Sequence, residues 1–145
     1  MPDVLVVSDS EAVRAEVKSA IVDTHMTVRE LTRGAEVLPA VKDDAPDLVV
    51  LDLQVGKMGG MATCMELRLE EGAGRLEHIP VLMLLDRRAD VFLAERSAAQ
   101  GWVVKPLDPL RLARAVRQVL GGGTYHDETF KPLTVAPGGP LEALK

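Results

Sequence analysis

Two kinds of segment alternate along the chain. Four are short apolar runs rich in β-branched residues: Val4–Val7, Leu48–Leu53, Val81–Leu85 and Trp102–Val104. Runs this short and continuous read as strands buried on both faces. Met26–Leu31 is more polar and suits an edge strand. Between the runs, apolar residues return every third or fourth position, the period of a helix with one covered face. Val13, Val17, Ala20 and Ile21 do so between Ser10 and Val22, with Ser10 placed to cap and Glu11 in the first turn. Residues 34–45 carry Val37, Leu38 and Val41, and Pro39 inside them predicts a short or distorted helix. Met61–Glu70, Asp90–Gln100 and Pro109–Leu120 complete the set, Pro109 standing at a first helical position.

Five repeats of strand then helix, joined by short loops, predict right-handed crossovers and a parallel sheet covered on both faces. Ligands of such sheets bind beyond the carboxyl ends of the strands. Gly121-Gly122-Gly123 stops the last helix. Residues 1–120 read as one domain and residues 121–145 as a Gly/Pro-rich tail. The tail has little periodicity, but Tyr125 and Phe130 give part of it a reason to dock. No output domain is expected in so few residues.

Composition narrows the function. The chain has 145 residues and a formal net charge of -5, which argues against direct nucleic-acid binding. Its single cysteine, Cys64, excludes a disulfide framework or a multi-cysteine metal cluster. The N-terminus is not a signal peptide and no stretch is long enough to span a bilayer. A cytoplasmic protein is expected.

The strand ends carry the candidate chemistry: Ser8-Asp9 after the first, Asp52 at the third, Leu85-Asp86 at the fourth and Lys105-Pro106 at the fifth. The fold would gather carboxylates and one ammonium into a single pocket. A carboxylate beside a divalent cation and a lysine can accept a phosphoryl group. Mg²⁺ takes one or two carboxylates plus waters, which Asp9 and Asp52 supply.

With these residues assembled, the chain resembles the receiver domain of two-component response regulators, of the chemotaxis-regulator type. The stretches that carry the resemblance are VLVVSDSEAVR, PDLVVLDLQVGKMGG, IPVLMLL and GWVVKPLDP, spanning about residues 3–120. It implies a flavodoxin-like (βα)5 fold, an α/β doubly wound sheet of strand order 2-1-3-4-5. It implies that Asp52 is the phosphoacceptor and Asp9 a direct metal ligand. Gln54 would offer its backbone carbonyl to the metal, Lys105 would pair with the phosphoryl group, and the bond from Lys105 to Pro106 would be cis. Trp102 takes the position of the switch aromatic, read here as static packing.

Three departures set the chain apart. Ser8 replaces the first acid of the family's pair, which predicts weak Mg²⁺ binding. Leu85 replaces the Ser or Thr whose hydroxyl bonds the phosphoryl group, and Asp86 stands where a small residue is usual. The expected function is that of a stand-alone, atypical response regulator, not an enzyme. Its phosphodonor would be a histidine kinase or phosphotransfer protein. Its output would be a protein partner on the face of helix 4, strand 5 and helix 5, where Arg87, Arg88, Arg111, Arg114 and Arg117 gather. The alternative is a pseudo-receiver, an interaction module that works without phosphate. A flavodoxin-like enzyme or nucleotide binder is disfavoured, because the glycines around Lys57 form no phosphate loop.

Overall fold

Every one of the five predicted strands joins a single parallel sheet. The computed structural model describes residues 1–22, 25–56 and 59–129. The strands are β1 (Asp3–Val7), β2 (Thr27–Leu31), β3 (Leu48–Asp52), β4 (Val81–Leu85) and β5 (Gly101–Val104). The helices are α1 (Glu11–Ile21), α2 (Val37–Asp43), α3 (Gly60–Gly72), α4 (Val91–Arg96) and α5 (Pro109–Leu120). A sixth strand, β6 (Tyr125–His126), extends the order to β2-β1-β3-β4-β5-β6.

Alternation within the strands builds two core layers. Val49, Leu51, Met83, Leu85 and Trp102 face one side, where Val37, Val41, Cys64, Leu67 and Ala94 of α2, α3 and α4 cover them. Leu48, Val50, Leu82, Leu84 and Val103 face the other, under Val13, Val17, Leu112 and Val116 of α1 and α5. β2 is only half-buried, as the polar edge run predicted.

The helix ends follow local chemistry. The Ser10 hydroxyl accepts from the Val13 amide at 3.2 Å, and Asp108 caps α5 ahead of Pro109. Pro39 falls in the first turn of α2, where its missing N–H costs no helical bond, and a 3-10 turn at Gly34–Glu36 leads into it. α4 is shorter than the expected Asp90–Gln100. The Ser97 hydroxyl bonds back to the Leu93 carbonyl at 2.6 Å, and Ala98 turns left-handed at φ 60. That conformation ends a helix.

The amino ends of β4 and β5 are tied by one arginine. Arg68 donates to Glu71 (2.6 Å), to the Ile79 carbonyl (2.9 Å), to Gln100 (2.6 Å) and to the Ala98 carbonyl (3.1 Å). The same Gln100 oxygen accepts from the Val81 amide at 2.9 Å.

The Gly/Pro-rich tail begins differently from a free linker: Tyr125 and His126 add to the sheet. Phe130 and the rest of residues 130–145 lie outside the described residues, as does Lys57. Among the described residues no helix is long and apolar enough to cross a membrane.

Candidate functional site

The register aligns the strand ends in one row. Asp52 pairs with Leu84 across β3 and β4, and Leu85 with Val104 across β4 and β5. Ser8, Asp86 and Lys105 each follow their strand directly, so all converge at one edge of the sheet.

Asp52 is the centre of the cluster and only 2% exposed. Its Oδ1 accepts from Lys105 Nζ at 3.0 Å and from the Gln54 amide at 3.1 Å. Its Oδ2 accepts from the buried Ser8 hydroxyl at 2.8 Å. The Ser8 oxygen in turn accepts from the Ser10 amide at 3.1 Å, which links the pocket to the α1 cap. A second carboxylate in place of Ser8 would have no proton to give and would repel Asp52 in a buried setting.

Lys105 is shared. It also donates to Asp86 at 2.8 Å. Burial disfavours its charged form, but the hydrogen bonds to Asp86 and Asp52 outweigh that, and its pKa is raised above the ordinary lysine value. The Lys105–Pro106 bond is cis.

Asp9 does not cap α1; Ser10 does. Asp9 Oδ2 accepts from the Gly56 amide at 3.0 Å, reaching across to the loop after β3. Gly60 lets α3 start hard against this loop. A Cβ there would lie 2.6 Å from the Asp52 carbonyl oxygen. The carboxylates at this edge include those of Asp9 and Asp52, with the Gln54 amide bonded to Asp52. Hard oxygen ligands of this kind suit Mg²⁺, with one charge fewer than a full acidic pair would add.

Leu85 is fully buried in the layer that holds Met83, Val104 and Trp102. It presents no hydroxyl to the pocket. Trp102 is 5% exposed and its Nε1 has no hydrogen-bond partner among the described residues. One face of its ring is covered by His126, with ring centroids 4.3 Å apart and planes 7° from parallel.

The arginine row is not uniform. Arg114 and Arg117 are exposed on α5. Arg111 instead turns inward, donating to the carbonyls of Val104 (3.1 Å) and Pro106 (2.9 Å) and standing 3.4 Å from Asp127. Arg88 donates to the Asp127 carbonyl, while Arg87 bonds Asp90 at 3.1 Å. The sequence flagged these arginines as a surface set. Asp127, the residue that recruits two of them, gave no signal there beyond its place in a polar tail.

Residues 4–117 match the model of the response regulator receiver domain. Among curated proteins, the transcriptional regulatory protein AfsQ1 of Streptomyces coelicolor is 28% identical over 125 residues, which is 85% of this chain and 53% of that protein. The DNA-binding response regulator MtrA of Mycobacterium leprae is 34% identical over 105 residues, 71% of this chain and 43% of that protein. The chain therefore spans about half the length of such relatives. Among solved structures, the chemotaxis response regulator CheY4 of Vibrio cholerae superposes with a TM-score of 0.73 at 26% identity, covering 82% of this chain and 98% of that one. The receiver domain of NtrX from Brucella abortus gives 0.71 at 26% identity, with the same coverage.

Proposed function

Because the chain belongs to the response regulator receiver domain family, we propose that it accepts a phosphoryl group on Asp52 in a two-component phosphorelay, through an atypical pocket. The donor is a histidine kinase or phosphotransfer protein. The observation that carries this reading is the buried Asp52 carboxylate held 3.0 Å from Lys105 at the carboxyl edge of the sheet.

An Asp52 oxygen attacks the phosphorus of a phosphohistidine. The P–O bond forms as the P–N bond breaks, and the imidazole leaves with the electron pair and takes a proton from water. Lys105 changes role as charge accumulates, from partner of a carboxylate to partner of a phosphoryl oxygen. Its raised pKa keeps it cationic throughout. The Gln54 amide fixes the orientation of the Asp52 carboxylate. Asp9, Asp52 and the Gln54 carbonyl would hold Mg²⁺, whose chemistry is to neutralise the phosphoryl oxygens. Output passes to a protein partner on the face formed by α4, β5 and α5, with Arg114 and Arg117 at its exposed rim.

A second reading is favoured by one observation. Both Asp52 oxygens are satisfied by Ser8, Gln54 and Lys105 of the chain itself, which suits an interaction module that works without phosphate. Incubation with a small phosphodonor and Mg²⁺, followed by intact-mass measurement, separates the two. One added phosphoryl group, absent in Asp52→Asn, supports phosphoryl transfer. No addition at any Mg²⁺ concentration overturns it in favour of the interaction module.

A further inference from the structure

Past the glycines that end α5, the chain returns to the sheet. Tyr125 and His126 pair in parallel with Gly101 and Trp102 of β5. Three features hold this segment. Gly101 makes room for it: a Cβ there would lie 2.8 Å from the Tyr125 carbonyl oxygen and 3.2 Å from its nitrogen. His126 lies flat on Trp102. Asp127, 3% exposed, seats its carboxylate against the protein. Its Oδ2 accepts from the Val104 amide at 2.8 Å and faces Arg111, and its Oδ1 accepts from the Thr129 amide at 2.9 Å. Arg88 holds its backbone carbonyl.

These are the parts of a peptide complex: main-chain pairing along a sheet edge, an aromatic platform, and a cationic seat for a carboxylate. The receptor parts come from β5, α5 and the turn before α4, the face read above as the output surface. They also touch the phosphoacceptor pocket. Arg111 grips the carbonyls of Val104 and Pro106, on either side of Lys105. Arg88 lies two residues beyond Asp86.

We propose that Tyr125–Thr129 is a built-in ligand of a carboxylate-peptide site on this face. A partner engages the face by replacing the segment with an extended strand of its own that carries an acidic side chain in the seat of Asp127. The chemistry of the seat selects the occupant. Arg88, Arg111 and the Val104 amide are donors only, and together they match a carboxylate on an extended backbone. The proposal rests on the reading of this face as the output surface. Its test needs neither phosphate nor the partner, so the two can fail separately.

The probe is a fluorescein-labelled peptide of sequence GTYHDET, residues 123–129 of this chain, titrated into the full chain and followed by anisotropy. Asp127→Ala, whose own segment no longer fills the seat, is expected to bind it about tenfold more tightly than the wild-type chain. The same peptide with Asn for Asp should lose that gain. A second variant guards against a folding defect: His126→Ala should raise acrylamide quenching of Trp102 fluorescence while the circular dichroism stays native. Equal peptide affinity for wild type and Asp127→Ala, binding to neither, or unchanged quenching in His126→Ala overturns the proposal. If the site binds peptide as expected but Arg114→Glu and Arg117→Glu leave partner binding intact, the output-surface reading fails and the built-in ligand stands.

Discussion

The Ser8 hydroxyl donates to Asp52 Oδ2 across 2.8 Å, both groups buried, so this oxygen of the carboxylate is satisfied by a neutral neighbour. An acid at position 8 would need a cation to hold it beside Asp52. Serine removes that need and, with it, part of the pull on a cation.

Ser8→Asp is therefore expected to tighten Mg²⁺ binding by about tenfold, or ~1.4 kcal/mol. It should also lower the thermal midpoint in the absence of metal, because two buried carboxylates then repel. Isothermal titration with Mg²⁺ and melting with and without EDTA check both signs. Equal midpoints in the two conditions would count against the repulsion.

Asp86 competes with Asp52 for one ammonium and places a negative charge near any incoming phosphoryl group. Asp86→Ala should speed labelling by a small phosphodonor roughly fivefold, the equivalent of ~1 kcal/mol between exposed charges. Asp86 is 41% exposed, so the gain should shrink as salt rises. A gain independent of salt would point to a steric cause.

Leu85 is buried in the same layer as Trp102 and offers no hydroxyl to the pocket. Leu85→Thr restores that donor and leaves a space in the core, with an expected cost of ~1–3 kcal/mol. Wild-type Trp102 fluorescence should change little on addition of beryllofluoride and Mg²⁺, and Leu85→Thr should enlarge the change. A large wild-type response abolished by Asp52→Asn would show that the domain switches by another route.

Much of this was legible in the chain. Val81–Leu85 became β4 residue for residue because a continuous apolar run of that length needs cover on both faces. Ser10 and Pro109 marked helix starts by side-chain chemistry that acts within a few residues. What escaped depends on contacts far apart in sequence. Asp9 has its partner at the Gly56 amide, 47 residues on. β6 has only two residues, too few to show a period, and its place is made by a missing Cβ at Gly101. Arg111 looked like one of three solvated arginines until Asp127 gave it a buried partner.

Acid should loosen the α2–α3 side first. Hydrogen bonds from Arg75 and Lys42, both at 2.6 Å, hold the Glu70 pKa down to about 2. Because the folded value is depressed, the stabilisation is present above the unfolded carboxylate range and disappears as pH falls from about 4.5 to about 2. Glu70→Gln should flatten the dependence of the melting midpoint on pH in that window. An unchanged slope would mean that other carboxylates carry it.

Cys64 should be chemically silent in the folded chain. Its thiol is fully buried, donates to the Ser97 carbonyl at 3.2 Å, and is pushed up by burial to about 11. Labelling by a thiol reagent is expected to follow the unfolding equilibrium as denaturant is added. Fast labelling in native buffer would require a local opening between α3 and α4.

The Arg68 staple gives the sheet a mechanical polarity. It clamps the amino ends of β4 and β5 through Gln100, Ile79 and Ala98, while the carboxyl ends of the same strands carry Asp86, Lys105 and the seat of Asp127. A sheet clamped at one end and loaded at the other behaves as a cantilever. Sliding β4 along β5 would break these contacts, so the register of the two strands is pinned at their amino ends.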